Sequence, residues 1–223
     1  MILYDPGLPA SLLEFGIQIP IRDNRTTRTF AALKGHPELG RTFPAWHVNR
    51  IEERLDPRDL RRVHTTDYVA QLFSPRLERI ILDTYELVDA QGRYHRYDPA
   101  QAVRPLSELL ARILKKAAGT VQCARLALKH GFCYYFSGGM HHAHAGHGSG
   151  FCLVNDIVIA ARKLQHENEV RRVWIIDTDA HKGDGTAALT AQDPDIVTLS
   201  IHMADGWPLD GPRSLADGTA NPA

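Results

Sequence analysis

The sequence predicts an α/β domain, a parallel sheet with helices on both faces. Three observations predict it. Short unbroken apolar runs alternate with stretches of helical period, the pattern of buried parallel strands joined by helical crossovers. Ionisable residues collect just past the ends of those runs, where open parallel sheets build their sites. The composition, 43% hydrophobic and 23% charged over 223 residues, is that of an ordinary soluble globular chain.

The elements follow in order. Met1–Tyr4 reads as a short strand stopped by Asp5-Pro6-Gly7. Helical fragments occupy residues 51–73, with Thr65 or Thr66 as N-cap and Val69, Leu72 and Phe73 on one face. Between Leu77 and Asp98 no period emerges. After Pro105 the pattern sharpens: Leu106, Leu109, Leu110, Ile113, Leu114, Ala117, Val121, Ala124 and Leu128 keep the i, i+3, i+4, i+7 rule, and Gly131 marks the end. Phe132–Ser137 reads as a buried aromatic strand bounded by Gly138-Gly139. A second helix starts near Asp156, capped by Asn155 or Asp156, with Ile157, Ala160, Ala161 and Leu164 on one face. Val173–Ile176 is a second buried strand, a short helix follows from Asp184 through Leu189, and Ile196–Ile201 is a third strand.

Charge and cysteine content narrow the class. Lys+Arg and Asp+Glu are 26 each, so no net field draws the chain to nucleic acid or to an anionic membrane. Arg58, Arg61 and Arg62 are the densest basic cluster, but Asp56 and Asp59 interleave with them, which reads as a solvated helix face. No apolar run approaches the ~20 residues of a membrane span, and the N-terminus lacks a signal peptide's charged and apolar regions. Cys123, Cys133 and Cys152 are odd in number and form no CxxC pair. A reducing, cytoplasmic setting is therefore expected.

Histidine is the unusual residue. There are twelve, and His141, His142, His144 and His147 fall within one short run just past the first internal strand. Asp177, Asp179 and His181 follow the second strand at i, i+2, i+4, and Ser200 and His202 end the third. Side chains of period two on extended chain point to one face. Two carboxylates and an imidazole are thus delivered to one spot, a donor mix that suits a divalent metal with an open position for water. The bland alternative is a polar loop whose carboxylates cap the next helix; the histidine pair on the neighbouring strand end argues against it. His141 and His142 suit proton transfer beside a metal, each needing an orienting carboxylate, for which Asp177 and Asp184 are the candidates. Direct metal ligation by the pair ranks second. His144 and His147, among small residues, read as loop-rim residues.

Gly138-Gly139-Met140-His141-His142-Ala143, Gly150-Phe151-Cys152-Leu153-Val154-Asn155-Asp156 and Asp177-Thr178-Asp179-Ala180-His181-Lys182-Gly183-Asp184-Gly185-Thr186 resemble the zinc-dependent histone deacetylase superfamily. Val63–Val69 and Thr198–His202 look like that family's segments too, and the features around Arg104-Pro105 and Ala180 are similar to its class IV and bacterial branch. The resemblance covers about residues 60–203 and implies an arginase/deacetylase-like three-layer sandwich. It implies Asp179 and His181 as two of three zinc ligands, and His141 and His142 as tandem histidines partnered by Asp177 and Asp184. Gly150 and Phe151 would line an acyl-lysine channel, and Asp98 would match a rim aspartate that grips substrate backbone. A monovalent cation such as K⁺ would lie against Asp177 and Asp179 and the backbones of His181, Ser200 and Ile201. The implied reaction is hydrolysis of an acetyl or other acyl group from lysine side chains or similar amines, acetylpolyamines included.

The family's third zinc aspartate and its carbonyl-polarising tyrosine lie further on than this sequence reaches. Residues 1–223 are therefore expected to be the N-terminal portion of a single domain, with 204–223 an unfinished loop. Asp205, Asp210 and Asp217 lie in that stretch, and nothing in their spacing argues for a ligand. Two other readings compete. One is an acyl-lysine binding or interaction module without hydrolysis. The other is a binuclear manganese ureohydrolase, disfavoured because Gly183 stands where that chemistry wants a carboxylate. Oligomeric state is not encoded in any pattern found.

Overall fold

The computed structural model of the chain describes residues 1–21 and 24–208. It begins with strand β1 (Ile2–Leu3), helix α1 (Asn24–Gly35) and strand β2 (His47–Val48), followed by three short helices, α2 (Pro57–Arg61), α3 (Thr66–Leu72) and α4 (Leu77–Thr84). The long α5 (Leu109–His130) leads to β3 (Tyr134–Tyr135). The chain then alternates α6 (Asp156–His166), β4 (Val173–Asp177), α7 (Asp184–Thr190) and β5 (Ile196–Ser200). The class is α/β, and all strand pairs are parallel. β1 lies between β2 and β3, while β4 and β5 pair with each other in the register Asp177 opposite Ser200.

Local chemistry explains the helix ends. The Thr65 side chain accepts from the Tyr68 N–H to start α3, and Asn155 accepts from the Val158 N–H to start α6. Pro105 opens a 3-10 turn, Leu106–Glu108, that widens into α5. At the other end Gly131, at φ 81°, closes α5 by donating to the Ala127 carbonyl. α4 occupies the stretch where no period emerged, yet Leu77, Ile81 and Thr84 are buried along one of its faces at i, i+4, i+7.

α5 packs along α6, and the two carry much of the main core. Leu109, Leu153 and Ile159 are fully buried there, and Phe15, Leu60, Leu72 and Ile81 close it from the first half of the chain. Asp59 is buried rather than solvated: it caps its own α2 box with Asp56 and accepts from Lys163 Nζ at 3.0 Å, tying α2 to α6. Arg125 of α5 binds Glu53, Glu167 and Glu169, joining three segments on the far end of the same helix pair.

The strands differ from the expectation in length and burial. The Phe132–Ser137 run contributes only Tyr134 and Tyr135 to a sheet, and Phe132 and Tyr134 are exposed. In β4 and β5 burial alternates instead of running unbroken. Ile175 and Ile196 face the core, while Trp174, Ile176, Val197 and Leu199 stand on the outer face, with Trp174 70% exposed. Apolar residues fill both faces, as in a strand covered on both sides, but among the described residues only the inner face is covered. Phe73, placed on the buried face of α3 by its spacing, is instead the exposed C-cap. No helix among the described residues is long and apolar enough to cross a membrane.

Leu109→Ala removes a fully buried side chain from the α5 core. The expected cost is about 2–5 kcal/mol, read as a fall in the urea midpoint at unchanged slope; a midpoint within error of the wild type would contradict this account of the core.

Candidate active site

Parallel pairing of β4 and β5 puts their carboxyl ends at one edge, with Asp177 and Ser200 side by side on the inner face. The chain leaving β4 turns back through Asp179 and His181 to α7. From the neighbouring sheet, the turn after β3 delivers His141 and His142 to the same place. Two histidine–carboxylate pairs result. His141 Nδ1 lies 2.6 Å from Asp177 Oδ2, and His142 Nδ1 lies 2.6 Å from Asp184 Oδ1. The two imidazoles are buried and their ring centres are 4.0 Å apart. A carboxylate on Nδ1 fixes the tautomer that keeps Nε2 as the acceptor, so both rings present Nε2 as a base.

The turn carrying the pair is held from beneath by buried polar groups. Asp156 is fully buried at the start of α6; it accepts from the Gly139 and Met140 N–H groups at 3.1 and 2.7 Å and from the Thr120 hydroxyl of α5. Burial pushes its carboxyl above the usual range, against the pull of these three donors. Asn155 Nδ2 donates to Thr186 Oγ1 at 3.0 Å and reaches the His141 and Ala143 carbonyls. His64 spans two segments, accepting from the Asn155 N–H at Nε2 (3.1 Å) and donating from Nδ1 to the His144 carbonyl (2.8 Å). Burial holds the His64 imidazole at a pKa of about 4, hence neutral. Gly183 passes so close to Asp177 and His141 that any side chain there would strike the Asp177 carboxylate.

The front of the site is open. Asp179 and His181 have side chains 52% and 47% exposed, and Asp179 Oδ1 accepts from the His181 N–H at 2.8 Å. Burial raises the Asp179 and Asp184 carboxyls, but hydrogen bonds from histidines and charge outweigh it and hold both below the usual range. The Asp179 carboxylate and His181 imidazole are donor types that a divalent metal accepts. Among the described residues no group of three or more converges. Asp205 lies within the described residues, while Asp210 and Asp217 lie outside them. Ser200 Oγ is 2.9 Å from His202 Nδ1, and the Ile201 N–H donates to the Asp177 carbonyl at 2.9 Å.

Gly150 and Phe151 stand at the mouth. A Cβ on Gly150 would come within 2.6 Å of both the His142 ring and Trp207, so glycine lets this wall close on the imidazole. The Phe151 N–H donates to the Thr84 carbonyl, its ring lies 5.9 Å from Tyr85, and the Arg96 guanidinium sits above it. Asp98 has a local task, capping a 3-10 turn by accepting from the Ala100 N–H, two residues along from Arg96. Trp207 went unnoticed in the sequence; its ring meets the His142 edge at 4.7 Å and stands 6.1 Å from His181. A lone Trp after the last strand carries no periodic signal. His144, read as a rim residue, instead reaches the Asp184 carboxylate.

A histone deacetylase domain model matches residues 19–220, and the chain belongs to the histone deacetylase family. Histone deacetylase 19 of Arabidopsis thaliana is 31% identical over 217 residues, covering 93% of this chain and 39% of the plant protein. The acetoin utilization protein AcuC of Staphylococcus aureus is 52% identical over 68 residues, covering 30% of this chain and 17% of its own length. An uncharacterized protein of Picosynechococcus sp. is 42% identical over 109 residues, 49% of this chain and 36% of that protein. The chain thus spans well under half the length of these relatives.

His64 gives the fold a pH dependence. Its folded pKa of about 4 lies below the ordinary 6.5, so the unfolded chain binds the proton more readily between those values. Stability is therefore complete above about pH 6.5 and falls as the pH drops towards 4, by on the order of 3 kcal/mol for this group. Asp179 and Asp184, held low, lose their contribution only below the ordinary carboxylate range. Urea midpoints from pH 7.5 to 4.5 should fall in the wild type and fall less steeply in His64→Gln; parallel curves would remove His64 from this account.

Proposed function

We propose that the protein bearing this chain is an amidohydrolase that removes acetyl or other acyl groups from lysine side chains or similar amines. One observation carries the reading: two buried His–Asp pairs lie side by side at the carboxyl ends of parallel strands, facing an open Asp179–His181 corner. Asp179 and His181 would hold zinc as two of its protein ligands. When bound, the metal supplies Lewis-acid activation of an amide carbonyl and of a water molecule. A monovalent cation such as K⁺ is proposed beneath it, against Asp177, Asp179 and the backbones of His181, Ser200 and Ile201.

The chain's own residues account for the proton traffic. A tandem histidine takes a proton from water at Nε2, and the carboxylate on its Nδ1 stabilises the imidazolium that forms. As the C–N bond breaks, that proton passes to the departing amine nitrogen, and the water's second proton follows from the new carboxylic acid, leaving a carboxylate and an ammonium. Phe151, backed by the buried Tyr85, and Trp207 would exclude water around the thin alkyl arm of the substrate, and Asp98 is proposed to hold substrate backbone at the rim. Cytoplasmic residence fits this chemistry and the free cysteines.

A second reading, acyl-lysine binding without hydrolysis, draws on the two rather than three ligands among the described residues. The ureohydrolase reading loses ground: Gly183 has no room for a side chain, and Asp184 is turned to His142 and His144.

The test uses the complete gene product and an acetyl-lysine peptide. Zinc-dependent release of acetate is expected, with His142→Ala lowering kcat by ~10²–10⁴-fold. Peptide binding without turnover in the zinc-loaded wild type would move the assignment to the binding module, and manganese-dependent urea release would restore the third reading.

Gly183→Ala should separate geometry from folding. Its methyl would displace the Asp177 carboxylate from His141, so kcat is expected to fall at least about tenfold while circular dichroism stays that of the wild type. Undiminished turnover would show that the His141–Asp177 pair is dispensable.

A further inference from the structure

The two tandem-histidine carboxylates are each held by both oxygens. Asp177 gives Oδ2 to His141 and accepts the Asp179 backbone N–H at Oδ1, 2.9 Å away. Asp184 gives Oδ1 to His142, and its Oδ2 lies 3.2 Å from Nε2 of His144. The first carboxylate is thus fixed by main chain and the second by a side chain. This matters because the terminal torsion of an aspartate is broad and roughly two-fold, so a carboxylate tied at one oxygen is free to swing. His142 depends on that oxygen to hold its ring and tautomer.

His144 is itself held firmly. Its N–H donates to the His147 carbonyl at 3.0 Å, its carbonyl accepts from His64, and the next carbonyl, Ala145, accepts the Thr65 N–H at 2.8 Å. Its ring stacks on His147 with centres 4.7 Å apart and planes 11° from parallel. A rim residue would need none of these restraints.

We propose that His144 is a positioning residue: by occupying Oδ2 of Asp184 it locks the carboxylate's rotation and so aims the His142 imidazole. The proposal rests on the reading of His142 as a working base. It assigns the third histidine of the run a part in the reaction without contact with the substrate.

The experiment compares His144→Leu, which keeps bulk without a donor, with His144→Gln, which keeps an N–H donor. The first readout is the NMR signal of the hydrogen-bonded Nδ1 protons of His142 and His141, recorded on the 223-residue chain without substrate. In His144→Leu the His142 signal is expected to move upfield and exchange faster with solvent while the His141 signal stays. In His144→Gln the His142 signal should return towards its wild-type position. The second readout, on the complete gene product, is a fall in kcat of about tenfold in His144→Leu at unchanged KM, recovered in large part by His144→Gln. An unmoved His142 signal in His144→Leu overturns the proposal, and so does an equal movement of both signals, which would mark general loosening of the turn. The NMR arm needs no turnover. Failure of the deacetylase reading would therefore appear as an inactive wild type with the selective His142 shift intact, distinct from failure of the positioning role.

Discussion

Asp156 is the group on which the site depends. One buried carboxylate joins α5, through Thr120, to the first turn of α6 and to the Gly139–Met140 backbone that launches the tandem histidines. Such a charge is tolerable in the core only because its oxygens are met by three donors. The donors belong to different segments, so satisfying the carboxylate and assembling the turn are the same event. A turn built on two glycines, both at positive φ, would otherwise have many conformations; the buried acceptor selects one. Asn155 and His64 extend the same logic sideways, each using a neutral buried group to bind carbonyls and N–H groups of chain that lacks regular secondary structure.

The result is a graded site. Its back wall is buried and hydrogen-bonded, while its front, at Asp179 and His181, is exposed. Imidazoles in the proposed role of base would gain from this arrangement, because their orientation is set before any substrate arrives. The Asp184 carboxyl behind His142 is held below the usual carboxylate range by hydrogen bonds and charge from His142 and His144, against the pull of its partial burial.

Much of this was legible in the sequence, for identifiable reasons. α5 and α6 are long enough for the apolar period to repeat, and Gly131 and Asn155 are end signals whose mechanism is local. The neighbouring strand ends foretold that Asp177 would meet the histidines, whereas the period-two spacing of Asp177, Asp179 and His181 did not bring all three together: the strand ends at Asp177, which turns to His141, and Asp179 and His181 pair with each other on the exposed side. Other features depended on contacts that no spacing encodes. The buried face of α4 ends on a polar residue, Thr84, which a count of apolar positions passes over. The Phe132–Ser137 run is apolar without being buried, because composition alone does not reveal how much of a run pairs. Trp207 and His144 owe their places to segments more than 20 residues away in sequence or to turns of irregular backbone, and a histidine among glycines and alanines looks alike whether it faces solvent or a carboxylate.

The outer face of β4 and β5 bears on how the molecule behaves in bulk. Trp174, Ile176, Val197 and Leu199 present a wet aromatic and aliphatic surface on the same strands whose far ends carry the charged groups. With opposite charges equal in number at neutral pH, little long-range repulsion keeps two such surfaces apart. An apolar patch of this kind favours association with another apolar surface, and the balanced charge offers little long-range opposition to it.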